Sequence, residues 1–350
     1  MKNLRNQLVI GALIGVAVVV ALLLYTDLQE FGAYLREFPP IFILPVLALT
    51  LYNYFIRWLK WQYYLRLIGV RGFPAVDSAA LFVSGFVLAL SPGKVAELLK
   101  AAVLRGMTGT PFARSAPIII AERVTDGLGM MILAAIGFGG VLASAAGQNE
   151  AMLRYLPPYL IVLAILLGGV LAIQIRPLFL WLLGIMGRLP LLGRVGHNLH
   201  ELYESSYELF RPRPLLISVA LGVVSWAGEC VGFFFILWGL GLEPTWLLFW
   251  QSMFILAAST IIGAVSGLPG GLGAAEVSIA GLVQVLVLNA ENAGFGGTAA
   301  LLVRLSTLWF AVILGLLTAF IFRRRLFLEG VSQTWRVAQI EAAADHSPGG

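Results

Sequence analysis

The chain has 350 residues, of which 59% are hydrophobic and 12% charged, and its mean hydropathy is +0.91. A soluble domain carries about 25% charged residues, so this composition excludes a soluble globular protein and points to an integral membrane protein. The net charge of +5 fits cytoplasmic loops against anionic headgroups rather than a nucleic-acid partner, and the single cysteine, Cys230, excludes an intrachain disulfide framework.

Lys2 and Arg5 precede an apolar run over residues 8–24. Tyr25-Thr26-Asp27 offers no small-residue cleavage site, so the run reads as an uncleaved first span with a cytoplasmic N-terminus. The second span, residues 41–67, carries Arg57, Lys60 and Tyr64 on one helical face. These side chains form either an interfacial belt of snorkelling basic and aromatic groups, or a cytoplasmic-side grip on a lipid phosphate.

Ser91-Pro92-Gly93-Lys94-Val95-Ala96-Glu97 then interrupts an apolar segment. Proline removes an N–H and its ring clashes with the preceding turn, so a helix breaks here. The first arm, residues 76–90, falls short of the ~20 residues that cross ~30 Å of hydrocarbon. Lys94, Lys100, Arg105 and Arg114 put the return on the cytoplasmic side. Residues 76–105 therefore read as a re-entrant hairpin.

Residues 115–142 form a full span containing Glu122-Arg123-Val124-Thr125-Asp126. Glu122 and Asp126 share a face, and Arg123 and Asp126 are spaced to pair. Intramembrane charges mark functional sites by default; the plainer alternative is a self-neutralising cluster that fixes packing. Residues 158–175 return to the cytoplasm, where a linker over residues 176–213 is rich in arginine. Within it, residues 195–210 read as an amphipathic helix on the membrane. His197, His200, Glu201 and Glu204 have a metal-like spacing, but exposed helices commonly look like this. We expect neither metal nor cofactor.

Residues 215–240 cross outward with a lone acid, Glu229, which needs a partner such as Arg123 or Arg304. A second broken element, residues 245–288, contains Ser266-Gly267-Leu268-Pro269-Gly270-Gly271-Leu272-Gly273-Ala274-Ala275-Glu276. Pro269 and the glycines Gly270, Gly271 and Gly273 break it, and Glu276 follows within two turns. The last span, residues 298–322, carries Arg304 and stops at Arg323-Arg324-Arg325. Residues 326–350 read as a cytoplasmic tail, so both termini are expected in the cytoplasm.

The expected fold is an all-α polytopic membrane protein with about six full spans plus two opposed re-entrant broken hairpins. The halves match in order: span, broken hairpin, span with an arginine, over residues 41–142 and again over 215–322. Glu97 precedes Arg123 by 26 positions and Glu276 precedes Arg304 by 28 (123 − 97 and 304 − 276). The copies start at opposite faces, which defines an inverted repeat. Backbone breaks inside hydrocarbon survive only around protein or a water-filled cavity, and such repeats build substrate sites near the midplane.

Five motifs carry a resemblance to a known family: Arg57-Trp58-Leu59-Lys60-Trp61, the Ser91 to Glu97 break, Glu122-Arg123-Val124-Thr125-Asp126, the Gly267 to Glu276 break, and Arg304-Leu305-Ser306-Thr307-Leu308-Trp309. Together they resemble the transmembrane region of lysylphosphatidylglycerol synthases, the flippase-like domain family, over residues 5–325. Family members often carry an asparagine pair before the first Pro-Gly, where this chain has Ala89-Leu90. The resemblance implies a cell-membrane lipid translocase for a phosphate-bearing lipid: a phospholipid, an aminoacyl phospholipid or a polyprenyl phosphate. The aminoacyl-transfer domain of the full synthases has no counterpart in this sequence, so no enzymatic activity is implied.

The expected site joins Arg57, Lys60, Pro92, Gly93, Lys94, Glu97, Glu122, Arg123, Asp126, Glu229, Pro269, Gly270, Gly271, Gly273, Glu276 and Arg304. Helix ends at the breaks and the arginines would hold phosphate, and the acids would balance these cations in the empty site. The expected partners are membrane lipids with anionic headgroups and a separate lipid- or glycan-modifying enzyme. Rival readings are a membrane-embedded transferase with a Glu or Asp base, a non-transporting scaffold for such an enzyme, and an ion or small-solute transporter. Gly271-Leu272-Gly273 echoes a dinucleotide fingerprint, but no strand precedes it and the last glycine is missing.

Overall fold

The computed structural model describes residues 28–90, 97–144, 196–288 and 293–327, with scattered positions between 157 and 168. The expected first span at 8–24, the residues Pro92, Gly93 and Lys94, and most of the span at 158–175 lie outside the described residues. Among the described residues there are helices and turns but no strands.

A short helix α1, Leu28–Glu37, leads through a tight turn at Pro40–Phe42 into α2, Ile43–Leu67. The first broken element begins with α3, Ala75–Ser84, which tightens into a 3-10 stretch over Gly85–Leu90. It resumes with α4, Leu99–Thr108, which ends on Gly109 in the left-handed conformation. Then come α5, Phe112–Ser144, α6, Gly196–Phe210, and α7, Pro212–Gly239. The second broken element is α8, Trp246–Val265, a turn at Pro269–Gly271, and α9, Ala274–Leu286. The chain continues through α10, Ala293–Arg304, a wide π turn at Leu305–Trp309, α11, Phe310–Ile321, and a short α12, Arg323–Phe327.

Six described stretches are long and apolar enough to cross a membrane: Pro40–Leu67, Phe112–Ser144, Pro212–Gly239, Trp246–Val265, Pro269–Leu286 and Gly294–Ile321. They are not the six expected spans. Two of them are the arms of the second broken element, and at 1.5 Å per residue α8 alone extends about 30 Å. The first arm, Ala75–Leu90, is shorter, as its sequence indicates.

Close helix crossings rest on glycine, as in other membrane bundles. A Cβ on Gly129 of α5 would stand 3.0 Å from the backbone of Gly222 in α7, and one on Gly137 would meet the backbone of Phe254 in α8. Two apolar cores result. One joins Phe38, Leu133, Phe233, Phe254 and Val283. The other joins Trp61, Tyr64, Phe82, Ile118 and Phe210. Along α5 the two meet at residues 126–130, and a cavity opens beside this join.

The two broken elements reach that join from different ends. Asp77, in the first turn of α3, pairs with Arg325 at 3.1 Å, while Leu90 at the far end of the same arm lies at the break. At the other end of the bundle, Trp250 of α8 lies against Gly140 of α5, and Gln251 Nε2 donates to the Leu286 carbonyl of α9 at 2.5 Å. Leu90 of the first element and Leu272 of the second pack together on Val312, beside Leu308 and Trp309. Helix α6 packs on α5, burying Tyr203, Leu209 and Phe210.

Candidate functional site

The second break is built from its backbone outward. Gly271 and Gly273 sit at φ +69° and +85°, where residues with a side chain are strained. A Cβ on Gly271 would also approach the Gly263 backbone to 3.0 Å, so the turn can fold back on α8 only with glycine there. The new helix α9 starts with unsatisfied N–H groups. Glu276 Oε2 accepts the Gly273 N–H at 2.7 Å, and Glu276 Oε1 pairs with Arg304 Nε at 2.6 Å. Arg304 Nη2 donates to the Gly270 carbonyl at 2.6 Å. One arginine thus ties together the break, the glutamate and α10.

The first half repeats the central pair. Arg123 Nε stands 3.0 Å from Glu97 Oε2. The sequence spacing suggested that Arg123 pairs with Asp126 along its own helix. Arg123 turns instead to the broken element, and Asp126 is taken by α2: Lys60 Nζ donates to Asp126 Oδ1, and Arg57 Nε lies 3.6 Å from Oδ2.

Arg57 and Lys60 are therefore not an interfacial belt. They are 9% and 0% exposed and face inward. Tyr64, on the same face, exchanges a hydrogen bond with Thr125 at 2.9 Å. Glu122 is fully buried and receives Lys100 Nζ at 3.0 Å. The Lys100 ammonium also stands 4.6 Å from the Trp61 ring and 5.0 Å from Phe82. Its chain passes over Gly85, where a Cβ would collide with it. Sequence reading placed Lys100 among the basic markers of a cytoplasmic return, yet it is buried inside the site. Its place three positions after Glu97, one helical turn on and on the same face, was the available signal.

Glu229 is 4% exposed and meets neither Arg123 nor Arg304, contrary to expectation. Each arginine is held by the glutamate of its own broken element. Among the described residues no ion pair or hydrogen bond reaches Glu229; the Arg57 guanidinium lies 5.5 Å from the ring of Trp226, one turn before Glu229 on α7.

These groups surround a cavity of about 470 Å³. Arg57, Glu97, Lys100, Arg123, Asp126, Glu229, Gly270, Gly271 and Arg304 line it, and Phe82, Phe86, Met130, Leu256 and Ile279 supply apolar wall. Glu122, Lys60, Gly273 and Glu276 act from behind this lining through the contacts above, and Pro269, whose carbonyl accepts the Leu272 N–H at 3.0 Å, shapes the turn without lining the cavity. Asn53, Tyr54 and Trp226 also line it, and sequence reading did not single them out. Tyr54 donates to the Thr307 carbonyl at 2.7 Å, within the π turn that follows Arg304. Such wide turns often sit at functional sites. Among the described residues no cluster of His, Cys, Asp and Glu could hold a metal ion.

Among the described residues, a helical bundle that gathers five cations and five acids around one cavity, all of them buried except the half-buried Arg123 and Arg304, defines a multi-pass membrane protein with an internal polar site. More particularly, the chain belongs to the lysylphosphatidylglycerol synthase transmembrane-region family, whose model matches residues 9–315. It is 25% identical over 292 residues to a "UPF0104 membrane protein" of Methanothermobacter thermautotrophicus, covering 78% of this chain and 81% of that relative.

Proposed function

We propose that the chain is a lipid translocase that moves a phosphate-bearing lipid across the cell membrane through this cavity. The observation that carries the reading is the cavity wall itself. Arg57, Arg123 and Arg304 converge on one space that is otherwise largely apolar. Arginine's planar fork suits phosphate oxygens, and the apolar wall suits the glycerol and acyl portions of a lipid. The acids keep the cations paired while no lipid is present, so an arriving phosphate exchanges one set of charge contacts for another. This limits the desolvation cost of an anion entering a low-dielectric site.

The two broken elements act in this reading as opposed re-entrant hairpins of an inverted repeat. Support comes from the matched Glu97–Arg123 and Glu276–Arg304 pairs, one per half, and from the tip contact of Leu90 with Leu272. Rocking one half against the other about that contact would open the cavity to alternate sides. With both termini cytoplasmic, the Asp77–Arg325 end faces the cytoplasm. The chain performs no covalent chemistry in this account, and a separate enzyme makes or consumes the lipid.

The test is lipid movement by the purified protein in liposomes. Labelled phosphatidylglycerol, an aminoacyl phospholipid and a polyprenyl phosphate are assayed in parallel, with Arg123→Ala/Arg304→Ala as control and thermal unfolding as a check on folding. Arg57→Gln serves as a second control that leaves both Glu–Arg pairs in place. Movement of one lipid class that the variants lose supports the translocase. Movement unchanged in folded variants overturns the site assignment. Absence of movement from folded wild-type protein favours a non-transporting partner of a lipid-modifying enzyme.

A further inference from the structure

Among the described residues the charges around the cavity are equal in number but unequally shared. Arg123, Arg304 and Lys100 each have one acid: Glu97, Glu276 and Glu122. Asp126 has two cations, Arg57 and Lys60. Glu229 has none in contact, although it is 4% exposed. An ionised carboxylate buried without a partner is costly. On the same wall Asn53 is 1% exposed, and neither its amide nitrogen nor its amide oxygen has a hydrogen-bond partner among the described residues. Buried side-chain amides are almost always satisfied, so this one also points to an occupant. The two residues come from helices that pack directly: a Cβ on Gly228, next to Glu229, would touch the Leu49 carbonyl and the Tyr52 ring, next to Asn53.

We propose that Glu229 and Asn53 form a binding site for a small monovalent cation, Na+ or a proton, on the wall of the lipid cavity. The donor set is one carboxylate and one amide oxygen, which carries a single negative charge. A divalent ion such as Ca2+ needs six to eight oxygens, several of them charged, and would meet Arg57 close by. The other charged or titratable groups facing this corner are Tyr54 and Arg57 on α2, Arg123 and Asp126 on α5, Arg304 on α10 and Cys230 on α7 itself. All but Cys230 are held by the contacts given above; α8 contributes only neutral side chains such as Thr260.

The role of the cation rests on the translocase reading. Arg57 stands 3.6 Å from Asp126 and over the ring of Trp226, one turn before Glu229 on α7, and its Nε lacks an aligned hydrogen bond. With a cation on Glu229, Arg57 is left to Asp126; with Glu229 bare and charged, Arg57 is drawn toward it. Occupancy thereby decides whether Arg57 is available to a phosphate, and a cation gradient can drive the lipid.

The test uses the purified full chain in detergent. Thermal unfolding is followed in NaCl against choline chloride at equal ionic strength, and at pH values on both sides of neutrality. An Na+ site gives a wild-type melting point raised by at least about 2 °C in Na+ over choline. A proton site gives a melting point that rises as pH falls, because the folded state then binds the extra proton. Either response disappears in Glu229→Gln and weakens in Asn53→Ala, which serves if the first variant does not fold. A wild-type response that both variants retain, or no response to either ion, overturns the proposal. In proteoliposomes, an imposed Na+ or pH gradient changes the initial rate of wild-type lipid movement several-fold. If no lipid moves while the melting response depends on Glu229, the translocase reading fails and the cation site stands. If lipid moves while the melting response does not depend on Glu229, the cation site fails and the translocase reading stands.

Discussion

The two Glu–Arg pairs look alike in the sequence and differ in how they are held. In the second half Arg304 bonds both Glu276 and the Gly270 carbonyl, and its side chain is 16% exposed. In the first half Arg123 meets Glu97 at 3.0 Å and its side chain is 34% exposed. The second pair is a fixed bracket around a glycine turn, while the first opens to the cavity. The same contact can thus be closed around a turn in one half and stand open to the cavity in the other. Desolvation makes the difference, since a charge pair with access to water can exchange partners at low cost.

Substitutions can break this contrast, and Asp126→Asn should do the most damage. It strands Lys60, which has no exposure, together with Arg57, at a cost of about 3–5 kcal/mol. Thermal or denaturant unfolding in detergent measures this, and a loss under 1 kcal/mol, well below that range, would show that the cations find other partners. Arg304→Ala follows at about 3 kcal/mol, because it leaves Glu276 buried and uncompensated. Adding Glu276→Gln should recover part of that loss in a double-mutant cycle. Arg123→Ala should cost less than Arg304→Ala in the same assay: it also leaves a buried acid, Glu97, but it breaks no bond to a glycine turn. Yet it should reduce lipid movement at least as much as Arg304→Ala. Equal stability losses for the two arginines would erase the distinction drawn here.

Smaller effects sharpen the account of the break. Gly271→Ala combines a positive φ with contact against the Gly263 backbone and should cost about 1–3 kcal/mol. Gly281→Ala, in α9 with open space at its Cβ, should be neutral or stabilise by about 0.5 kcal/mol. If both changes behaved alike, the strain assigned to the turn would be misplaced.

Much of this was legible in the sequence because the bilayer is a severe solvent. Long apolar runs, two Pro-Gly interruptions and the charges beside them leave few alternatives where every backbone group must be satisfied. The helical bundle, most element positions and the matched spacing of a glutamate and an arginine in each half could be read on that ground, though not that the two pair. Family motifs pointed to the same membrane region that the comparison then matched over residues 9–315. What only the tertiary structure decided was which charge meets which. Helical spacing placed Arg123 with Asp126, but contacts across helices at about 3 Å outweighed that local option. Lys60 read as an interfacial residue because a snorkelling lysine and a buried one have the same local sequence; Asp126, 66 positions away, makes it a core residue. That Glu229 has no contacting cation and Asn53 no partner among the described residues could emerge only after the other described charges had been assigned, since pairing is a property of the whole arrangement and not of any one helix.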